Sequence, residues 1–340
     1  MIDPNVLMVP VFLGLIGAEY GIGRLQGKRL YRWGGLFDDV ASSLTHVVGL
    51  AVVGATTFTL YEMLRQAVAV WTYPTDTVWA WLIAWVLSDF CWYWRHRFGH
   101  DVALGWAIHE VHHQSPDMNL AVGLRVSLFQ WLQTLPFMLP MALLGMPMWM
   151  FAAVFGAAHL YQTLLHTQLV DRVPVLGAVL TMPADHRVHH AKNPRYLNKN
   201  FGHNLIVWDR LFGTYAVEDA SEPVVYGIDR PQAHWDPVRN NLEPWLALFG
   251  RRPAPSDEAV ASTSMRHRVL ATVWFVLAMA MGLLLVQNSS AWPLWSRVAV
   301  GIAAVWGFGQ AGRTLAGRRE MSASQAAQLG ALGLLCLVML

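Results

Sequence analysis

Apolar runs of membrane length alternate with short basic loops along this chain. The first covers about residues 5–22 and is followed by Arg24, Lys28, Arg29 and Arg32. A second covers about 42–64, and a third about 77–94, ending in Arg95 and Arg97. A crossing helix needs roughly 20 predominantly apolar residues, so each run is long enough. Residues 128–165 are apolar almost throughout, with a break at Gly145-Met146-Pro147, where glycine and proline together favour a turn. That pattern predicts a helical hairpin that returns to the side it left, its two arms either crossing fully or only dipping into the bilayer. Residues 167–265 form the polar half, and three further apolar runs lie near 269–286, 293–312 and 323–340. Counting both arms of the hairpin, this predicts eight crossings. The fold expected is all-α, a polytopic membrane helical bundle.

Basic residues after the first and third spans put those ends in the cytoplasm under the positive-inside rule. Arg313, Arg318 and Arg319, between the last two runs, agree with that orientation. The polar half then forms a histidine-rich helical cap on the cytoplasmic side. The expected organisation is N-terminal transmembrane helices over 1–75, a histidine-bearing unit over 76–235, a cytoplasmic linker over 236–265 and C-terminal transmembrane helices over 266–340. The opening Met-Ile-Asp-Pro lacks a basic stretch or a small-residue cleavage site, so the first run reads as a retained helix.

Composition narrows the class. With 55% hydrophobic residues, 14% charged and 17 Trp among 340 residues, two soluble domains are excluded. A net charge of +2 is too small for a nucleic-acid surface, so no nucleic-acid partner is expected. Cys91 and Cys336 both lie in apolar runs, which leaves neither a disulfide framework nor a CxxC metal site.

The candidate chemistry is histidine. His96 and His100 are four residues apart, while His109, His112 and His113 form an HxxHH that recurs at His186, His189 and His190. On a helix such spacings stack imidazoles along one face. Eight histidines are twice what one structural zinc takes, so the boxes point to two metals, for which imidazole suits iron, copper, nickel or zinc. His166, at the cytoplasmic end of the hairpin's return arm, is the best ninth ligand. Gln162 and His159 precede it on the same face, and His203 lies thirteen residues past the last box, which makes His159 and His203 further candidates. Metal-bound imidazoles usually give their other N–H to a carboxylate or carbonyl, a role open to Asp89, Asp101, Glu110, Asp185 and Asp209. Asp209 equally suits a turn cap. Lone His46 reads as a hydrogen-bonded core residue, and His234 and His267 as loop or membrane-end residues. Arg125 and Arg187 are candidates to meet a head group.

These residues carry a family resemblance. HRFGH (96–100), HEVHH (109–113) and DHRVHH (185–190) resemble the three histidine boxes of the fatty acid hydroxylase and sterol desaturase superfamily of membrane di-iron oxygenases. HHQSPDMNLAVGLR (112–125), HHAKNPRYLNKNFGHNLIVWDRLFGTY (189–215) and VVYGIDRP (224–231) extend the likeness over about residues 80–235, with wording nearest to alkylglycerol monooxygenase and similar bacterial proteins. Two departures stand out. Asp185 occupies a position where many relatives have a histidine, and Gln162 stands where some hydroxylases pair a histidine with His166.

The resemblance implies a catalytic unit over 76–235 that binds two Fe ions and uses O₂ to hydroxylate a lipid, whether fatty acyl, alkyl ether or sterol-like. A groove between the helix ends around residues 89–113 and the 128–166 hairpin would admit such a substrate. A desaturase with the same centre is the alternative, since the outcome depends on substrate placement. A membrane protein that binds or transports divalent metal is the alternative from another class. No cytochrome, flavin or nicotinamide motif is present. Electrons must therefore come from a separate redox partner or, on the alkylglycerol monooxygenase likeness, from a reduced pterin.

Overall fold

The computed structural model describes residues 4–229, 235–251 and 264–316, with 328 and 331. In chain order the α-helices are α1 (Pro4–Leu25), α2 (Trp33–Val68), α3 (Val78–Asp101), α4 (Ala103–His113), α5 (Trp131–Phe137), α6 (Leu139–Leu143), α7 (Met148–Leu164), α8 (Pro183–His189), α9 (Val207–Phe212), α10 (Pro237–Leu248), α11 (Met265–Asn288) and α12 (Leu294–Leu315). Two isolated bridges, Leu180 with Leu205 and Ala191 with Tyr226, are the β-structure among the described residues. The architecture is all-helical.

Within the described residues, Trp33–Gly54 of α2 and Met265–Asn288 of α11 are long and apolar enough to cross a membrane. That is fewer than the eight crossings drawn from hydropathy. The hairpin accounts for part of the difference. Its first arm is two short helices, α5 and α6, of seven and five residues. At about 1.5 Å per residue these cover well under the roughly 30 Å of a bilayer core. Pro136 and Pro140 interrupt the arm, because proline withdraws an N–H and crowds the preceding turn. Gly145 closes the hairpin at φ 78°, and a Cβ there would collide with the Trp71 carbonyl. The second half of α3 is likewise polar, carrying Asp89, Arg95, His96 and His100. The run at 323–340, with Cys336, lies outside the described residues apart from 328 and 331, as do His234 and residues 252–263 of the expected linker.

Two apolar cores hold the bundle. Tyr61, Ala84, Cys91, Met141, Met146, Met150 and Phe151 join the second half of α2 to α3 and the hairpin. Val48, Trp274, Ala278, Met281, Val300, Ala304 and Phe308 join the first half of α2 to α11 and α12. The long α2 is therefore shared by both. Part of the segment expected as a linker is helix α10. Asp236 caps it by accepting from Val238 N at 3.0 Å, with Pro237 in the first turn, where its missing N–H costs nothing. Asn240 and Asn241 bury against α2, α4 and the start of the hairpin, as Asn240 donates to Asp38 (2.8 Å) and Asn241 accepts from Ser127 and Leu128.

Candidate metal centre

Val102, a single extended residue, joins α3 to α4 and turns the second helix back on the first. Gly105 makes that approach possible, since a Cβ there would meet the Phe98 carbonyl. The first two histidine boxes thus face each other. The third arrives on α8, whose N-terminus is fixed by Asp185 accepting from Met182 N at 3.0 Å.

Nine histidines gather into two adjacent groups. His96, His100, His109, His113 and His189 form one, and His112, His166, His186 and His190 the other; in each, the ligand atoms lie within 4.8 Å of one another. The two HxxHH motifs divide reciprocally. Each sends its outer pair, four residues apart, to one group and its middle member to the other. Helix geometry explains this, because residues at i and i+4 diverge by only about 40° whereas i+3 lies about 60° to the other side. The groups touch through His113 and His190, with ring centroids 4.4 Å apart.

Side-chain nitrogens converge within each group. His109 Nε2 lies 3.0 Å from His96 Nε2 and 3.2 Å from His113 Nε2. His166 Nε2 lies 3.2 Å from His112 Nε2 and 3.0 Å from His186 Nε2. Such separations are edges of a coordination polyhedron with metal–nitrogen bonds of about 2.1 Å. The opposite ring nitrogens are held by main-chain carbonyls. Nδ1 of His96 donates to Phe201 O (2.9 Å), of His112 to Arg125 O (2.8 Å), of His166 to Gln162 O (3.0 Å) and of His189 to Lys199 O (3.0 Å). A carbonyl only accepts, so the proton sits on Nδ1 and the Nε2 lone pair faces inward. Nε2 of His100 and of His189 are buried without a hydrogen-bond partner among the described residues. Burial holds His186 and His190 well below the ordinary imidazole range and pushes His189 down to about 4, so these rings are neutral donors at pH 7. An all-imidazole set of this kind fits iron.

The remaining candidates stand elsewhere. His203 packs its ring 4.0 Å from that of Trp92 and lies 3.8 Å from Asp89, and His159 stands 6.4 Å from Trp92; neither belongs to a group. Asp89 and Asp185 are buried, but neither is hydrogen-bonded to a ring of either group among the described residues. Asp89 accepts from Asn204 N (2.7 Å), Leu205 N (3.1 Å) and Trp208 Nε1 (2.9 Å). Asp185 pairs with Arg172. Asp101 pairs with Arg97 on the surface at 3.0 Å. Glu110 lies beside Gln114. His46 bonds Ser127 O at 2.9 Å, and His267 bonds its capping Ser264 at 2.7 Å.

Carboxylates therefore act one layer out, through the backbone. Asp209 accepts from Phe201 N (2.7 Å), Gly202 N (2.6 Å) and Thr214 Oγ1 (2.6 Å). It thereby fixes the carbonyl that orients His96. Asn200, at φ 55°, donates to Asp185 O and Ala216 O and holds the same loop. Arg125 does the equivalent for His112. Its guanidinium, 1% exposed, bonds Val111 O (2.6 Å), Asp38 (2.5 Å), Asp39 (3.2 Å) and Gln114 (2.9 Å). It is thus a buried tie rather than a head-group contact. Arg187 similarly binds Val170 O, Asp171 and Glu218. Sequence reasoning had no signal for which main-chain carbonyls would face the rings.

Comparison with known proteins places this site. Alkylglycerol monooxygenase of Danio rerio is 42% identical over 46% of this chain and 35% of its own length. The Homo sapiens protein of that name is 32% identical over 68% of this chain and 51% of its own. An ornithine lipid hydroxylase of Rhizobium tropici is 26% identical over 54% and 58%. The chain thus spans about a third to a half of the alkylglycerol monooxygenases it matches. No solved structure matches it significantly. The family model described as fatty acid hydroxylase matches residues 81–214. Every histidine of both groups falls inside those bounds, and residues 81–214 form a domain of the fatty acid hydroxylase family, with lipid hydroxylases and a sterol desaturase among the chain's relatives.

Proposed function

We propose that the protein is a membrane-bound, non-haem di-iron monooxygenase that hydroxylates a lipid. The observation that carries this reading is the pair of adjacent histidine groups, five and four strong, inside a fatty acid hydroxylase domain. The first group would hold one iron and the second another. Iron bound there supplies the activation of O₂ for attack on an unactivated C–H bond. The chain's own part is to fix nine neutral nitrogens, keep the tautomers of four rings through their carbonyl contacts and exclude bulk water by burial. The relatives' names favour an alkyl ether of glycerol or a similar amphipathic lipid as substrate.

We place the centre on the cytoplasmic face of an integral membrane protein. The basic residues that follow α1 support this, and Lys28 among them donates to Gln168 O of the histidine-bearing half at 3.0 Å. Electrons come from a separate protein or a reduced pterin. The test compares lipid extracts from cells expressing the chain with a vector control. A product heavier by one oxygen, dependent on O₂, supports the reading; loss of two hydrogens would make it a desaturase, as a sterol desaturase relative 29% identical over 38% of the chain suggests. Unchanged lipids, with metal that exchanges freely, would favour a metal-handling protein instead.

A further inference from the structure

Beside the four-histidine group lies a second polar cluster that the metal groups do not use. It is built around Trp92 on α3. The Arg95 guanidinium, 3% exposed, stacks 3.7 Å over that indole, and the rings of His203 and His159 lie 4.0 and 6.4 Å from it. Gln162 joins the cluster by donating through Nε2 to His203 O at 3.1 Å. Its main-chain carbonyl also receives His166 Nδ1, so the cluster directly adjoins the metal ligands.

Among the described residues, four buried atoms here have no partner: Arg95 Nε, His159 Nδ1, Gln162 Oε1 and His203 Nε2. Leaving so many polar atoms unpaired at one place is costly. Their types are specific. Turning the Asn204 amide so that its oxygen meets Trp85 Nε1 puts its nitrogen 3.2 Å from His203 Nδ1; that ring nitrogen then accepts, and the orphaned Nε2 carries the proton. With the Gln130 amide turned likewise, its oxygen accepts from both terminal nitrogens of Arg95 and leaves Nε–H over; Arg95 forms no ion pair among the described residues. The cluster therefore offers at least two donors, Arg95 Nε–H and His203 Nε2–H, and one acceptor, Gln162 Oε1.

We propose that this cluster is the subsite for the hydroxyl-bearing polar end of a neutral lipid, holding it beside the metal centre while the apolar tail stays in the bilayer. The proposal rests on the reading of the protein as a lipid hydroxylase. A carboxylate or phosphate only accepts and would leave Gln162 Oε1 facing another acceptor, whereas a hydroxyl both donates and accepts. An alkyl chain satisfies none of the four.

Three probes of equal chain length test this by titration calorimetry on the detergent-solubilised full chain, in metal-free and iron-loaded forms: 1-O-octylglycerol, its di-O-methyl ether and octanoate. The expected result is that the diol binds about tenfold or more tighter than its methylated analogue, as one well-formed hydrogen bond to a charged or buried partner requires. Arg95→Met and Gln162→Met should each remove that preference, while Gln162→Glu, which keeps an acceptor, should retain part of it. Equal binding of diol and ether by the wild-type chain overturns the subsite, and tightest binding of octanoate overturns its neutral chemistry. Both outcomes are read without the variants. O₂-dependent lipid product without a diol preference would defeat the subsite alone, while a diol preference with no product would defeat the hydroxylase reading alone.

Discussion

At the scale of single residues, the centre works by tautomer control. Four rings donate Nδ1–H to carbonyls of Phe201, Arg125, Gln162 and Lys199. Asp209 shows how far this reaches. It bonds no histidine among the described residues, yet it holds the two N–H groups flanking the carbonyl that orients His96. Asp209→Asn turns one acceptor oxygen into a donor facing those N–H groups. Outer partners of metal ligands typically contribute 10–100-fold to metal affinity. Competition of the intact protein against a calibrated chelator should show a loss of about that size, with helix content unchanged. The spacing of His109, His112 and His113 already implied a shared site. It also separates His112 from the other two by helix geometry, but which group each part joins depends on how α4 and α8 approach each other. Nor does a sequence name backbone carbonyls, which every residue has.

At the scale of elements, α2 and the α4–α5 connection are coupled through Arg125. Its guanidinium ties Asp38 and Asp39 of α2 to the end of α4, and its own carbonyl orients His112. The metal centre is thereby braced by a helix outside residues 81–214. Arg125→Met should leave the two aspartates unpaired in a buried place, a change that costs about 3–5 kcal/mol. Denaturant unfolding in detergent checks the stability, and iron analysis should show preferential loss from the group that contains His112. Wild-type stability in that variant would remove Arg125 from this role. The hairpin offers a second test, because Gly145→Val meets both a positive φ and the Trp71 carbonyl. A fall in melting temperature of several degrees is expected, on the order of 1–3 kcal/mol of strain. Two element-scale features were present in the letters. Pro136 and Pro140 mark the broken first arm, and Asp236-Pro237 is a helix start that begins α10. Hydropathy averages over such punctuation, so the hairpin's length leaves open whether its arms cross fully or only dip into the bilayer.

At the scale of the whole molecule, α2 divides its length between two cores, one shared with the histidine-bearing helices and one with α11 and α12. The C-terminal helices pack close, as Gly301 would place a Cβ 2.8 Å from Val52. Gly301→Leu should separate α12 from α2 and lower thermal stability, by about 1–3 kcal/mol for an overpacked contact, while iron content stays at its wild-type level. Loss of iron in that variant would mean that the two cores act as one unit. The all-helical class follows from apolar runs of membrane length, whereas the number of crossings does not, since run length alone does not separate a full crossing from a broken arm such as α5 and α6.

The most direct test of the central claim is iron per chain, measured on anaerobically purified wild type alongside His113→Ala and His112→Ala, one from each group. The two-group arrangement predicts about two irons in the wild type and about one in each variant, with helix content unchanged. A single iron in the wild type, or two retained in both variants, would contradict it.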